Sequence, residues 1–361
     1  MGMVPVSFAK MSQDSVTMSP QNTKLFGRSL KILTFNTFGL WVGPIRVGKE
    51  WPKRMPLIAE HIRKLSPDIV LLQEVWRKKD QRYFKQALKD LYPYSASSQN
   101  PDRTAWQRLT LEGFLEGGLV ALSKYPFLKL PHFQGFAAYT AGEEYFAGKG
   151  VQFLEIDLRA TGLTRSLKIA NTHLGAIGFD PKKQQFNQDH ENRQLHQFKE
   201  ILKWMGPWVD NFNQRGLNHP VVLAGDLNCT PHTWDSILLR YNTSQAKECY
   251  QLVEEELEWD FFGDFLRDLW RSLGLGANEL TWQDTYRFIR PNHLGSTSDR
   301  ANPYNGKEPS MRLDYIWSTI SPTFFPVSST IVLDQFGAYV EKSKPKALSD
   351  HYGVLTEFFM F

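Results

Sequence analysis

The chain is predicted to be an α/β protein in which packed β-sheets carry helices on their outer sides. Three features of its 361 residues predict this. Strand-like segments outnumber helical ones, some strands are apolar on both faces while others alternate, and the helical stretches fall between pairs of strands. With 42% hydrophobic and 22% charged residues, the composition is that of a soluble globular protein able to build a substantial core.

The opening two dozen residues, rich in Ser, Thr, Gln and Met, read as a flexible tail that ends by residue 28. Regular structure starts at "LKILTFNTFGLW". In "WPKRMPLIAEHIRKLSPD" the apolar residues Leu57, Ile58, Ile62 and Leu65 recur at helical spacing, and Pro67 stops the helix. "DIVLLQEVW" is then a buried strand that closes on a glutamate. Further strands are expected at "GGLVALSKYP", "GVQFLEIDLR", "SLKIANTHL", "PVVLAGDL", "RLDYIWS", "STIVLD" and "HYGVLTEFF". Helices are expected at 190–205, at 231–241, where Thr230 can cap and Pro231 suits the first turn, and at 259–273. Two long loops complete the chain, a Gly- and aromatic-rich insertion over 132–150 and a polar one over 290–310.

The net charge of +4 suits an anionic partner without selecting one, and no dense Lys/Arg stripe stands out. Two cysteines, Cys229 and Cys249, exclude a disulfide framework and a cysteine-built zinc centre. The amino terminus lacks a signal-peptide core, and no run approaches the ~20 apolar residues that cross a bilayer. A cytoplasmic monomer, touching membranes only peripherally, is expected.

Polar residues recur where the apolar strands give out. They are Asn36, Glu74, Asn171 and His173, Asp226 and Asn228, and Asp314, with Asp350 and His351 opening the last strand. Each has an ordinary explanation as a turn cap, a satisfied imidazole or a solvated acid. Gathered at one edge, however, two histidines, four carboxylates and three carboxamides are costly to fold unless they pair with each other, a metal or a substrate. In "VVLAGDLNCTP", Gly225 allows an unusual turn or close approach, and period-two alternation sends Asp226 and Asn228 to the same side. Oxygen ligands without thiolates favour a hard cation, Mg2+ or Mn2+ in its place, with Glu74 the principal ligand and Asn36 beside it. No H-E-x-x-H helix, G-x-S-x-G elbow or Walker loop is present.

In order, "LTFNTFG", "DIVLLQEVW", "GGLVALSKYP", "NTHLGA", "LAGDLNCTP", "RLDYIW" and "LSDHYGV" make the chain resemble the endonuclease/exonuclease/phosphatase superfamily of metal-dependent phosphoesterases. "EVW", "FAGKGVQ" and "NTHL" make it most similar to the neutral sphingomyelinases. The resemblance covers residues 29–361 and implies a four-layer α/β/β/α sandwich of two mixed sheets. It implies Glu74 and Asn36 at the metal, Asp226 and Asn228 orienting water and a phosphate oxygen, and His173 donating to the phosphate. It also implies Asp350 near the metal, Asp314 holding the His351 imidazole, and Lys149 and Asn171 near the substrate phosphate. The expected reaction is in-line attack of water on a phosphodiester, with His351, paired with Asp314, as the preferred general base and Asp226 as the other candidate. Sphingomyelin, cleaved to ceramide and phosphocholine, is the first substrate expected, and Phe133, Phe136, Tyr139, Tyr145 and Phe146 are candidate lipid-facing rings. A nuclease acting on DNA or RNA is the alternative.

Overall fold

A computed structural model of the protein describes residues 27–42, 45–98, 117–136, 148–161, 166–176, 179–180, 185–186, 188–215, 220–229, 282–290, 293, 295–304, 310–319, 324–334, 339–341 and 344–360. Among these, β1 (Arg28–Asn36), β2 (Ile69–Gln73), β3 (Tyr94–Ser97) and β4 (Val120–Ser123) belong to a first six-stranded sheet. β5 (His132–Gly135), β6 (Gly150–Asp157), β7 (Ser166–His173), β8 (Val221–Asp226), β9 (Trp282–Asp284) and β10 (Asp314–Thr319) make a second. β11 (Phe324–Val332) and β12 (Gly353–Met360) return to the first. The strand orders are β11-β12-β1-β2-β4-β3 and β9-β10-β8-β7-β6-β5.

Each sheet has one parallel pair at its centre, β1 with β2 and β7 with β8, and otherwise runs antiparallel. Parallel neighbours need a crossover, and each is spanned by a helix, α1 (Trp51–Leu65) in the first and α3 (Gln188–Arg215) in the second. Between them in sequence, α2 (Lys78–Ala87) packs beside α1 on the first sheet.

Three apolar clusters separate the four layers. Leu30, Ile32, Leu71, Ile169, Val222 and Ile316 interdigitate between the sheets. Phe35, Val70 and Leu72 on the outer face of the first sheet meet Ile58 and Ile62 of α1 and Phe84 of α2. On the other side Phe153, Leu223 and Trp317 meet Phe198, Ile201 and Met205 of α3. The expected sandwich is therefore the observed one.

The details differ where the sequence signal was weak. α2 was not foreseen because "KKDQRYFKQA" offers few apolar residues; its buried face is completed by Asp80, which accepts from Trp51 Nε1 at 2.9 Å, and by Gln81, which donates to the Val75 carbonyl at 2.9 Å. The edge strands β3, β5 and β9 were also unread, being short. β5 lies inside what read as the 132–150 insertion, where Phe133 is buried and Phe136 stacks on Trp204 at 5.7 Å between ring centroids. Those two rings thus pack on the protein's own core. Tyr139, Tyr145, Phe146 and the helices expected at 231–241 and 259–273 lie outside the described residues. No described helix is long and apolar enough to cross a membrane.

Along the inner faces, side chains change character in the chain direction of the parallel strands. β1 runs Leu30, Ile32, Thr34, Asn36; β2 runs Ile69, Leu71, Gln73; β7 runs Leu167, Ile169, Asn171, His173; β8 runs Val222, Ala224, Asp226. Period-two alternation makes each series one face of its strand. The space between the sheets is thus apolar at one end and polar at the other, and the polar end is where the site lies.

Candidate active site

Below the outermost row a hydrogen-bonded ladder bridges the two sheets. Gln73 Nε2 donates to Thr34 Oγ1 at 3.0 Å and to Asn171 Oδ1 at 2.9 Å, and Asn171 Nδ2 donates to Gln152 Oε1 at 3.2 Å. Asn171 is fully buried one step beneath His173, with both ends of its amide engaged in this ladder. The structure places it under the site as a support.

At the edge itself, Asp226 Oδ2 is the meeting point. It accepts from Asn36 Nδ2 at 2.8 Å, lies 3.4 Å from His173 Nε2 and 3.8 Å from His351 Nε2. Asn36 comes from the first sheet and His173 from the second, so the contact closes the gap between them. Register explains the convergence, since Asp226 is opposite His173 on one side and Asp314 on the other. Getting β8 this close to β7 requires Gly225, whose φ of 143° favours glycine and where a Cβ would sit 1.9 Å from the Thr172 carbonyl oxygen.

The chain turns sharply just past three of these strands. Phe38, Glu74 and Asn228 have φ of 50°, 59° and 49°, a conformation uncommon outside glycine. Asn228 therefore does not continue the alternation of β8 as its spacing implied. Its backbone N–H instead donates to Asp226 Oδ1 at 2.9 Å, and its side chain donates to the Leu174 carbonyl at 3.0 Å. Glu74 turns back toward Asn36, whose Nδ2 reaches its Oε1 at 3.3 Å, while Glu74 Oε2 is buried with no hydrogen-bond partner.

His351 Nδ1 is 2.7 Å from Asp314 Oδ2, the pairing expected. Its loop is tied to β1 by Ser349, whose hydroxyl donates to the Asn36 carbonyl at 2.7 Å and lies 3.1 Å from Asp350 Oδ1. Lys149 is also drawn in, with Nζ donating to the Leu174 carbonyl at 2.7 Å and 3.2 Å from His173 Nε2. Thus every expected site residue except Asn171 meets in one cluster.

Sequence reasoning missed Arg54. Fully buried in α1, its guanidinium donates to the carbonyls of Lys49, Thr37, Leu348 and Phe38 at 2.6–2.7 Å. It therefore joins the loop after Asn36 to the loop before His351. An arginine in an amphipathic helix ordinarily reads as surface, so no signal marked it. Ser349 and Gln73 were detectable in principle, one as the neighbour of Asp350, the other as an inward polar residue in an apolar strand.

Crowding sets the charges. Burial pushes the Glu74 carboxyl up to about 7, with Asp350 adding to the rise against the pull of His351, Lys149 and the Asn36 hydrogen bond. Burial likewise pushes Asp226 up to about 6, Asp314 contributing. For His351 burial opposes the charge, but Asp314 and Asp226 outweigh it and hold the imidazole well above its ordinary value. His173 is held neutral, by burial first and then by the charges of Lys149 and His351. Carboxylates that retain protons only because they are crowded are suited to a divalent cation.

Two groupings offer ligands. Asp226, Asp314 and His351 have ligand atoms within 4.8 Å of one another, while Glu74 offers its unpartnered Oε2 beside Asn36 and Asp350. In the first grouping Asp226 accepts from Asn36 and Asn228 and Asp314 Oδ2 holds His351, leaving Asp314 Oδ1 without a hydrogen-bond partner. The Glu74 side is the better fit for a hard cation, because the first grouping includes His351, which Asp314 and Asp226 hold protonated and so unable to ligate.

Residues 33–351 match the sequence profile of the endonuclease/exonuclease/phosphatase family. The chain belongs to that family. Its enzymes are generally dependent on divalent metals. Among curated relatives in the family, inositol phosphosphingolipids phospholipase C of Saccharomyces cerevisiae is 28% identical over 253 residues, which is 62% of this chain and 46% of the yeast protein. Sphingomyelin phosphodiesterase 2 of Homo sapiens is 24% identical over 219 residues, 60% of this chain and 44% of the human one. The alignment thus spans less than half the length of these relatives. Sphingomyelinase C from Streptomyces griseocarneus shares the fold, with a TM-score of 0.57 at 20% identity over 91% of this chain and 99% of that one.

Proposed function

We propose that the chain is a divalent-metal-dependent phosphodiesterase acting on sphingolipids, with sphingomyelin as substrate and ceramide and phosphocholine as products. The observation that carries this reading is the pairing of an unpartnered, buried Glu74 oxygen with an Asp226 carboxylate flanked by two imidazoles. Such a set can hold a cation on one side and a tetrahedral anion on the other. The two sphingolipid-acting relatives supply the substrate class; the fold match does not distinguish one phosphodiester from another.

Glu74, with Asn36 and Asp350 beside it, would hold Mg2+, which supplies charge neutralisation at the phosphoryl and departing oxygens. The remaining work falls to the chain. Asp226, pushed up to about 6, is basic near neutral pH and takes the proton of the attacking water. The new bond forms from the water oxygen to phosphorus, and the bond to the ceramide oxygen breaks. His351 is held as an imidazolium by Asp314 and Asp226 and therefore acts as the cation and proton donor; its charge makes Asp226 the better base of the two. His173, neutral beside Asp226, is assigned to steadying a phosphoryl oxygen, and Asn228 to fixing the Asp226 carboxylate through its backbone N–H.

The test is to incubate the purified chain with sphingomyelin, an inositol phosphosphingolipid, phosphatidylcholine, DNA and RNA, each with Mg2+ and with chelator. Headgroup phosphate release from the sphingolipids alone, abolished by chelator, is expected. Hydrolysis confined to nucleic acid would replace the substrate assignment, and chelator-resistant hydrolysis would refute the metal.

A further inference from the structure

The folded chain gathers a cationic stripe that the sequence did not display. Lys79, Arg82, Gln86 and Lys89 stand three or four residues apart along α2 and the turn that ends it, all exposed, with Lys78 and Lys85 on the flank. The one carboxylate within α2, Asp80, is turned inward onto Trp51. Segment 78–89 holds five of the 42 Lys and Arg and one of the 38 Asp and Glu, a net +4 that equals the charge of the whole chain; elsewhere 37 cations face 37 anions.

At its start, Asp80 apart, this arrangement works against the helix. Arg77, Lys78 and Lys79 occupy its cap and first turn, where the macrodipole favours acidic residues, and Arg77 makes no side-chain cap. Lys85, in the last turn, suits the macrodipole, but local stability gives no reason for the cations at the start of the helix. Its position gives one, for only Val75, Trp76 and Arg77 separate Glu74 from α2. The stripe begins at the site edge and runs ~15 Å down the outer flank of the first sheet.

We propose that this stripe docks the protein on an anionic lipid surface, bringing the mouth of the site to the membrane. The inference rests on the sphingolipid reading for its purpose and on charge complementarity for its partner. A nucleic-acid strand fits less well, because the aromatic ring of α2 near the stripe, Tyr83, is partly buried edge-on against Phe84 at 5.9 Å and offers no stacking platform.

The test is co-sedimentation with vesicles of phosphatidylcholine alone and with about one-third phosphatidylserine, for the wild type and for the triple variant Lys79→Gln, Arg82→Gln, Lys89→Gln. Preferential binding to the anionic vesicles is expected, falling about fivefold per cation removed, hence on the order of a hundredfold for the variant, and weakening with salt. Sphingomyelin hydrolysis in neutral detergent micelles should be the same for both proteins. Equal vesicle binding by variant and wild type, or no preference for phosphatidylserine, would overturn the proposal. So would single-stranded DNA binding that outcompetes the vesicles and disappears in the variant. Absence of micellar hydrolysis by the wild type would sink the substrate reading instead, leaving the docking result to stand by itself.

Discussion

Asn36 and Asp226, 190 residues apart, are joined by a hydrogen bond of 2.8 Å between the inner faces of the two sheets. The same Asn36 amide nitrogen reaches Glu74, so one carboxamide spans the cation side and the proton-accepting side of the site. Asn36→Leu removes the donor that two buried carboxylates, Glu74 and Asp226, share. We expect a loss of stability of ~1–3 kcal/mol in denaturant unfolding and a larger proportional loss in turnover. Turnover reduced no more than stability requires would show that the bridge is only structural.

For His351 the sign follows from its raised value. Its pairing with Asp314 stabilises the fold fully below about pH 6.5, the ordinary imidazole value, and that contribution fades as pH rises through the elevated one. Nitrogen NMR of the metal-free protein should find the ring still protonated at pH values where an ordinary imidazole has become neutral. In Asp314→Asn the ring should titrate lower and turnover should fall on the order of 100-fold or more. An unshifted titration in the variant would remove Asp314 from its assigned role.

Burial pushes the Glu74 and Asp226 carboxyls up to about 7 and about 6 in the folded chain, above their ordinary 4.5 and 3.8. Carboxyls raised in this way favour the fold at acid pH, and the benefit is lost as pH climbs through the folded values. The metal-free protein should therefore weaken between about pH 4 and 7. Because a cation binds the ionised form, the rise in Tm produced by Mg2+ should grow across that window and level off above it. Thermal melts with Mg2+ and with chelator at several pH values check this; a shift independent of pH would contradict it.

Arg54 anchors four carbonyls from both loops that carry site residues. Arg54→Met strands those carbonyls and should cost at least ~3 kcal/mol by thermal or denaturant unfolding. Arg54→Lys keeps the charge but not the fork, so it should recover part of the stability and less of kcat. Full recovery of kcat by lysine would mean that charge alone matters there.

How far the sequence revealed this molecule depends on the kind of signal each part carries. Strands such as "VVLAGDL" and "SLKIANTHL" were legible because burial writes itself as runs of apolar residues, and their polar ends were legible as interruptions. The His351–Asp314 pair followed from the family resemblance. α2 was invisible because its inward face is held partly by Asp80 and Gln81, polar residues satisfied by hydrogen bonds that composition does not reveal. The cationic stripe was missed with it, since its members line up only on a helix. Arg54 escaped for a related reason: its four partners are backbone carbonyls, which every residue possesses.

Diffraction from crystals soaked in Mn2+, recorded for its anomalous signal, tests the central claim most directly. The account predicts a peak ~2.0–2.3 Å from a Glu74 carboxylate oxygen, absent in Glu74→Gln crystals. A peak seated instead among Asp226, Asp314 and His351, or no peak near either grouping, would contradict it.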